Sequence, residues 1–353
     1  MLNYLFPFII SIILSYALTK IVRNFAIKRK LAMSEPRERD VHTNPTPRLG
    51  GVAIFISFII LVTGYWLLNP AKIDFINVAN FGKIDKNILG LLLGSFIVII
   101  GGVIDDIKDL SPTKKILLQI TSALVVVALG IKINWFSNPL GGANIELANW
   151  SYFFIPLWIV LIINAVNWID SIDGLAGGIS TIGAIVLFVL SFNLIAIDPN
   201  QQVTALLAII FAGSVLGFLP HNFSKTKIFL GDSGSMFLGF MLAVLAVISG
   251  AKVATAALVL GIPIIDAAWV IIRRLINRQP IWQADKFHLP HRFLQAGFNQ
   301  RQTVVILYVV SALFGLVALS STAQGKLIAL IILLLIISII VFLLKYKAKL
   351  IVK

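Results

Sequence analysis

The chain is predicted to be an all-α polytopic integral membrane protein of about 11 transmembrane helices, one domain over residues 1–353. Three observations predict this. Hydrophobic residues make up 59% of the 353 positions and charged residues only 12%, against about 25% charged in soluble domains. Apolar stretches of roughly 14 to 20 residues recur from end to end, which suits a bilayer. Lys and Arg gather in alternate connections between those stretches, the pattern of membrane loops. The composition is the opposite of a disordered chain. With no Cys, a disulfide framework, a thiolate metal site and a cysteine nucleophile are excluded.

The spans read as Tyr4–Ile21, Leu49–Leu68, Ile88–Ile104, Ile116–Ile131, Tyr152–Val166, Ile179–Ile197, Val203–Leu219, Met236–Ile248, Ala254–Ile272, Thr303–Leu319 and Leu327–Leu344. Each should be a helix, because unpaired backbone cannot face lipid. The first span lacks a basic start and a small-residue cleavage site, so it is expected to stay as a membrane helix. Basic residues from Lys20 to Lys30 follow it, which places the N-terminus outside and the C-terminus in the cytoplasm. With that topology 23 of the 29 Lys and Arg fall inside and 6 outside. The net charge of +14 then belongs to loops at an anionic lipid surface, not to a nucleic-acid site. The outside segment 132–150 reads as a small β-hairpin around Asn138-Pro-Leu-Gly-Gly142.

The acids and histidines are one-sided too. Eleven of the 15 acids and all four His lie on or near the inside. Charge bias accounts for Lys and Arg, but not for clustered Asp and His. A functional inner face does.

Five inner constellations stand out. In the first, Asp105, Asp106 and Asp109 close the third span, with Lys115 beyond them. Asp105 and Asp109 share a helix face, and three crowded carboxylates would be relieved by a divalent cation. A solvated acidic helix end is the plainer reading, disfavoured beside lipid. In the second, Asn164, Asn167, Asp170 and Asp173 recur every three residues and end at Gly174. That is a polar ridge, or a set of helix caps. The third is Asn222 to Ser235, with Phe229-Leu-Gly-Asp232-Ser-Gly-Ser235. A small-residue turn before a helix can hold a phosphate or merely cap the helix. The fourth is Arg273 to Arg292, where His288, His291 and Arg292 suggest an anion site more than zinc, or a basic loop lying on lipid. The fifth, His42-Thr-Asn-Pro45-Thr-Pro47-Arg48-Leu-Gly50-Gly51, is a rigid approach to the second span. Asp266 lies inside the ninth span, either as a functional group or paired with a neighbouring helix.

These motifs resemble the polyprenyl-phosphate N-acetylhexosamine-1-phosphate transferase superfamily, glycosyltransferase family 4. The matches are Pro45-Thr-Pro-Arg-Leu-Gly-Gly51, Asp105-Asp106 with Leu110-Ser-Pro and Lys115, Asn164-Ala-Val-Asn167 with Asp170 and Asp173-Gly, Phe229 to Ser235, Pro263-Ile-Ile-Asp266, and Ala284-Asp-Lys-Phe-His288. The resemblance runs from about Ala32 to His291. It is nearer to bacterial undecaprenyl-phosphate GlcNAc-1-phosphate transferases than to phospho-MurNAc-pentapeptide transferases. The latter usually read Pro-Thr-Met-Gly-Gly and carry a triple His. This chain has Pro290 where many relatives have His, and Ser34 where an Asp is common.

The resemblance implies that an undecaprenyl phosphate attacks a UDP-N-acetylhexosamine, giving a lipid diphosphate sugar and UMP at the cytoplasmic face of the inner membrane. It implies one Mg²⁺, with Mn²⁺ as a substitute, on Asp232 with Asp106 or Asp105 and Asp170. Asp105 would accept the lipid phosphate's proton or orient that phosphate, with Asp106, Asp109 and Asp170 in the catalytic set. Ser171, Ile172, Asp173, Asn167, Asn222 and Phe229 would contact the nucleotide. Lys115, Arg48, His288, His291 and Arg292 would hold phosphates or the sugar. Membrane lipids are expected partners, and a homodimer is compatible with this reading. The alternatives are the MurNAc-pentapeptide transferase, a transporter and an inactive scaffold. Transporters place ionisable groups near the midplane, whereas here only Asp266 lies within a span.

Overall fold

The computed structural model describes residues 2–34, 45–68, 75, 80–81, 84–223, 226–248, 252–280 and 288–351. His42, Ala284, Asp285 and Lys286, singled out above, lie outside the described residues. Thirteen helices follow in order: α1 (Leu2–Arg29), α2 (Gly50–Leu68), α3 (Lys86–Lys108), α4 (Pro112–Ala128), α5 (Ser151–Ile169), α6 (Leu175–Leu194), α7 (Gln201–Asn222), α8 (Gly231–Ile248), α9 (Val253–Val259), α10 (Gly261–Ile276), α11 (Leu289–Gln295), α12 (Gln300–Ser320) and α13 (Ala323–Ile351). Every expected span is helical over most of its length. Among the described residues nine helices are long and apolar enough to cross a membrane, and α9 with α10 makes a tenth if counted as one broken span. The remaining span, α4, has 17 residues and covers about 25 Å, a little under the hydrocarbon thickness.

The three antiparallel pairs are two residues per strand. The expected outer hairpin is present as β5 (Trp135–Phe136) against β6 (Ile145–Glu146). Two others were not anticipated: β1 (Met33–Ser34) with β2 (Thr46–Pro47), and β3 (Asn80–Phe81) with β4 (Ile84–Asp85).

α7 and α8 form the centre. From Ser233 to Ile248 every residue of α8 is buried, so this helix is apolar all round instead of striped. α1 shows how an outer helix is oriented. Ser11, Ser15 and Thr19 recur every four residues and are buried, while Phe6, Ile9 and Ile13 face outward. The serine face packs on Gly213 and Gly217 of α7, where a side chain would collide with α1. Ser15 Oγ donates to the Ser214 carbonyl at 2.5 Å, and Ser57 Oγ of α2 donates to the Ser11 carbonyl at 3.3 Å. Small residues permit this close approach and their hydroxyls bridge it, the usual means of helix association without a hydrophobic drive.

The ninth expected span is not one helix. α9 and α10 meet at Leu260 with a bend of 77°. Pro263 has no N–H to give the Val259 carbonyl four residues back, and its ring crowds that carbonyl. Ser311 Oγ of α12 donates to it instead, at 3.1 Å. The Val259 carbonyl is therefore satisfied at the break, and the bend directs α10 away from the line of α9.

At the opposite end of the bundle from the acids, Lys252 is buried. Its Nζ donates to Ser191 Oγ at 2.6 Å and to Gln201 Oε1, linking α6, α7 and the turn before α9. Burial lowers its pKa from the usual 10.5 to about 7, partly opposed by Asp198 and assisted by Lys326. Between those two pH values the unfolded chain holds a proton that the folded chain has released, so stability rises with pH across that interval. We expect the thermal midpoint of the purified protein to climb between about pH 7 and pH 10. The climb should flatten in Lys252→Met, as read by tryptophan fluorescence melts.

Candidate active site

Chain direction brings the polar constellations together. α2, α4, α6 and α8 begin at one end of the bundle, where α3, α5 and α7 finish. That end carries Arg48, Asp105, Asp106, Lys115, Asn167, Asp170, Asp173, Asn222 and Asp232.

The start of α8 is held in two ways. First, Asp106 at the end of α3 takes its free amides. Oδ1 accepts from Asp232 N at 2.8 Å and Oδ2 from Ser233 N at 3.0 Å. A carboxylate is the strongest available cap for a helix N-terminus. Second, the Pro-rich segment lies along the approach to α8. Phe229 N donates to the Pro47 carbonyl (2.8 Å), Gly50 N to the Phe229 carbonyl (3.0 Å) and Gly51 N to the Leu230 carbonyl (3.0 Å). Arg48 N is tied in turn to Ala32 O at 2.9 Å.

Glycines are required at this junction by space. A Cβ on Gly51 would enter the backbone of Gly234, and one on Gly102 the backbone of Ser233. Gly231 also has φ +76°, and a Cβ there would strike the Arg48 carbonyl and the Asp106 carboxylate.

Charges are paired across the same junction. Lys115 Nζ lies 2.5 Å from Asp105 Oδ2 and 3.3 Å from Asp232 Oδ2. Asn167 Nδ2 donates to Asp232 Oδ1 at 2.5 Å and to Ser235 Oγ at 2.8 Å. Asn222 joins two loops: its Oδ1 accepts from Gly174 N (2.8 Å) and its Nδ2 donates to the Ile228 carbonyl (3.2 Å). Tyr308 of α12 donates its hydroxyl to the Gly174 carbonyl.

A cavity of about 240 Å³ lies among these groups. Arg48, Asp106, Asn167, Asp170, Asp173, Asn222, Phe229, Leu230, Gly231 and Asp232 line it. Its electrostatics are unbalanced. Asp170 caps α5 and has no hydrogen-bond or ion-pair partner for its carboxylate among the described residues. Burial holds its pKa well above the ordinary value, and the charges of Asp173, Asp232 and Asp106 push the same way. Such a carboxylate is poised to gain a cation.

The donor set fits Mg²⁺. Among the described residues no three carboxylates or imidazoles already converge into a metal cage. Mg²⁺ does not need one, since it commonly takes one or two carboxylates and keeps water or substrate phosphate oxygens for the rest. Asp170 and Asp232 face the cavity with acceptor capacity left, and Asp106 is beside them.

Several expected residues stand elsewhere. Asp109 is the left-handed C-cap of α3 (φ 48°); its carboxylate is 93% exposed and only 3.8 Å from Arg48 Nη1. Its side chain points to solvent, and Asp109 is not among the residues that line the cavity described above. Asp105, expected to face the acceptor phosphate, is buried. Its second oxygen accepts from Leu110 N at 2.7 Å, so its contacts hold Lys115 in place. Ser171 is exposed, and the Ile172 side chain is in the core. Asn164 pairs with Gln119 of α4 (2.6 Å) and fastens α4 to α5. His288 is buried against Trp168 and bonded to Asp266. Arg292 lies over the Trp269 ring, 5.9 Å from its centroid, and His291 is beside it on α11.

The sequence reading missed a second cavity of about 680 Å³ that shares Asp173. Phe223, Phe298, Arg301, Val304 and others line it. Asn299, Gln300, Arg301 and Gln302 at the start of α12 also line it, but no motif in the sequence marked that segment. Tyr308 escaped notice for the same reason, although Gly178, which cannot carry a side chain beneath its ring, was its only trace.

Fold and site together define a multi-pass membrane protein with an acidic cavity at one end of its helix bundle. The sequence pattern of glycosyl transferase family 4 matches residues 88–250. The chain is 35% identical over 325 residues to a probable undecaprenyl-phosphate N-acetylglucosaminyl 1-phosphate transferase of Bacillus subtilis (strain 168), covering 90% of this chain and 85% of that protein. It is 34% identical to a decaprenyl-phosphate N-acetylglucosaminephosphotransferase of Mycobacterium leprae (strain TN), covering 84% and 78%. It is 30% identical to a phospho-N-acetylmuramoyl-pentapeptide-transferase of Thermotoga petrophila, covering 88% and 96%. The chain belongs to glycosyl transferase family 4.

The packing makes a direct forecast about α2. Gly51→Ala should lower the thermal midpoint and the folded yield, because overpacking against backbone costs roughly 1–3 kcal/mol or more. Gly64→Ala on the same helix meets nothing within 4 Å. It should be neutral or stabilising, since Ala is the better helix former. Size-exclusion profiles and melts of the two variants in one detergent would check the contrast.

Proposed function

We propose that the chain transfers an N-acetylglucosamine-1-phosphate group from a UDP-sugar to undecaprenyl phosphate, releasing UMP. The reaction belongs to the cytoplasmic face of the inner membrane and begins a lipid-linked envelope glycan. The observation that carries this reading is the cavity where Asp106, Asp170, Asp173 and Asp232 meet Lys115 and Arg48. The relatives named above support the donor and the acceptor, and the one-sided Lys and Arg support the orientation.

Both reactants are anions, so the main requirements are positioning and neutralisation of charge. Asp232 and Asp170, with Asp106 beside them, would hold Mg²⁺. When bound, the metal would offset charge on the donor diphosphate. The other roles fall to the chain itself. Lys115, anchored by Asp105, presents an ammonium beside Asp232. Arg48, oriented by Ser34 Oγ at 3.1 Å, supplies a second cation at the cavity wall. Asn222 and Phe229 border the space suited to a planar base, and Asp173 the space for its polar edge. An oxygen of the lipid phosphate bonds to the β-phosphorus, and the bond from that phosphorus to the α–β bridging oxygen breaks, so UMP carries away the electron pair. The second pKa of a phosphate monoester is about 6, so the acceptor is largely dianionic near neutrality. Asp105 need not act as a strong base, which agrees with its burial behind Lys115.

The test is UMP release by purified protein given undecaprenyl phosphate, Mg²⁺ and UDP-GlcNAc. We expect metal- and lipid-dependent release. Losses of at least about 100-fold should follow in Asp232→Asn, Asp170→Asn and Lys115→Met, as for removal of transition-state charge partners. Release only with a UDP-MurNAc-pentapeptide donor would correct the donor. A folded protein that releases no UMP with any donor would refute the transferase reading.

A further inference from the structure

Asp266 stands on α10, 4% exposed, and both its oxygens are engaged. Oδ2 lies 2.7 Å from His288 Nδ1. Oδ1 accepts from Leu289 N at 2.7 Å. A carboxylate this buried beside lipid is costly unless it is paired and bonded, and here one short stretch of chain satisfies both oxygens. The bend of 77° at Leu260 places α10 where Asp266 can reach that stretch.

The pairing has a chemical consequence for His288. An ionised carboxylate can only accept, so Nδ1 must carry the hydrogen and Nε2 is the nitrogen left for a ligand. Among the described residues no group is bonded to Nε2. The His288 ring sits 6.2 Å from the Trp168 ring, and Trp168 follows Asn167, the residue that holds Asp232. The dyad therefore touches the end of α5 that carries the acidic cavity.

We propose that Asp266 is a positioning residue for transfer. It fixes the tautomer and orientation of His288 so that Nε2 meets a phosphate oxygen of the sugar-nucleotide donor. This rests on the transferase reading. Carboxylates that orient a metal-bound imidazole typically matter by about 10–100-fold, and an effect of that size is expected here.

Two measurements test the proposal, and one needs no activity. The chain has four His, so ¹⁵N-histidine-labelled protein in nanodiscs gives few signals, and His288→Gln assigns one of them. We expect Nδ1 of His288 to bear hydrogen in the parent protein and to lose that signature in Asp266→Asn. An Nδ1 lone pair in the parent protein, or an unchanged signal in the variant, overturns the proposal. Should Asp266→Asn not fold, the parent protein's tautomer decides alone. In the second measurement, Asp266→Asn should cut kcat for UMP release about 10–100-fold with little change in KM for undecaprenyl phosphate. The double variant with His288→Gln should be no slower than His288→Gln alone. Additive losses overturn the proposal. A parent protein that releases no UMP refutes the transferase reading, while the tautomer still reports on the dyad.

Discussion

The start of α8 is a buried helix N-terminus, and its amides have no carbonyls of their own helix to bond. Asp106 answers for two of them, from a helix end 126 residues earlier in the chain. Much else follows from that contact. It sets the distance between α3 and α8, which requires Gly102 and Gly231. It holds Asp232 at the first turn of α8, within reach of Lys115 and Asn167. It also places a negative charge beside Asp170, whose own carboxylate has no partner among the described residues. The cap, the glycine contacts and the unbalanced cavity are three aspects of one packing event.

The remaining framework protects that event from the membrane. Outer helices such as α1 bury a small polar face and leave large apolar residues toward lipid. The Pro-rich strand before α2 bonds edgewise to Phe229 and Leu230, so the approach to α8 is backed by backbone bonds instead of side chains alone. Asn222 and Tyr308 together pin Gly174, which fixes the loop carrying Asp170 and Asp173.

Much of this was legible in the sequence, for reasons that differ by element. The spans were readable because lipid forces any long apolar stretch to be helical, and the hairpin at 132–150 because turn residues mark it. The break at Leu260 was signalled by Gly261 and Pro263 but masked by the apolar run around them. The site's acids were readable as a one-sided cluster. Their division of labour was not, because it depends on contacts between distant segments. Nothing local distinguishes Asp106, which caps α8, from Asp105, which anchors Lys115, or from Asp109, which ends its helix in solvent. Asp266 and His288 were each visible, but their pairing depends on how a bent helix returns to a loop 22 residues later.

The central claim is that Asp106 is the acceptor that holds the first turn of α8. Its most direct test is amide hydrogen exchange across residues 231–235 in the parent protein and in Asp106→Asn, which keeps the shape but presents an NH₂ group to amide donors. The account predicts strong protection of Asp232 and Ser233 in the parent protein and at least about a tenfold loss of it in the variant, with the remaining helices still protected. Unchanged protection of those two amides in a folded variant would contradict the account.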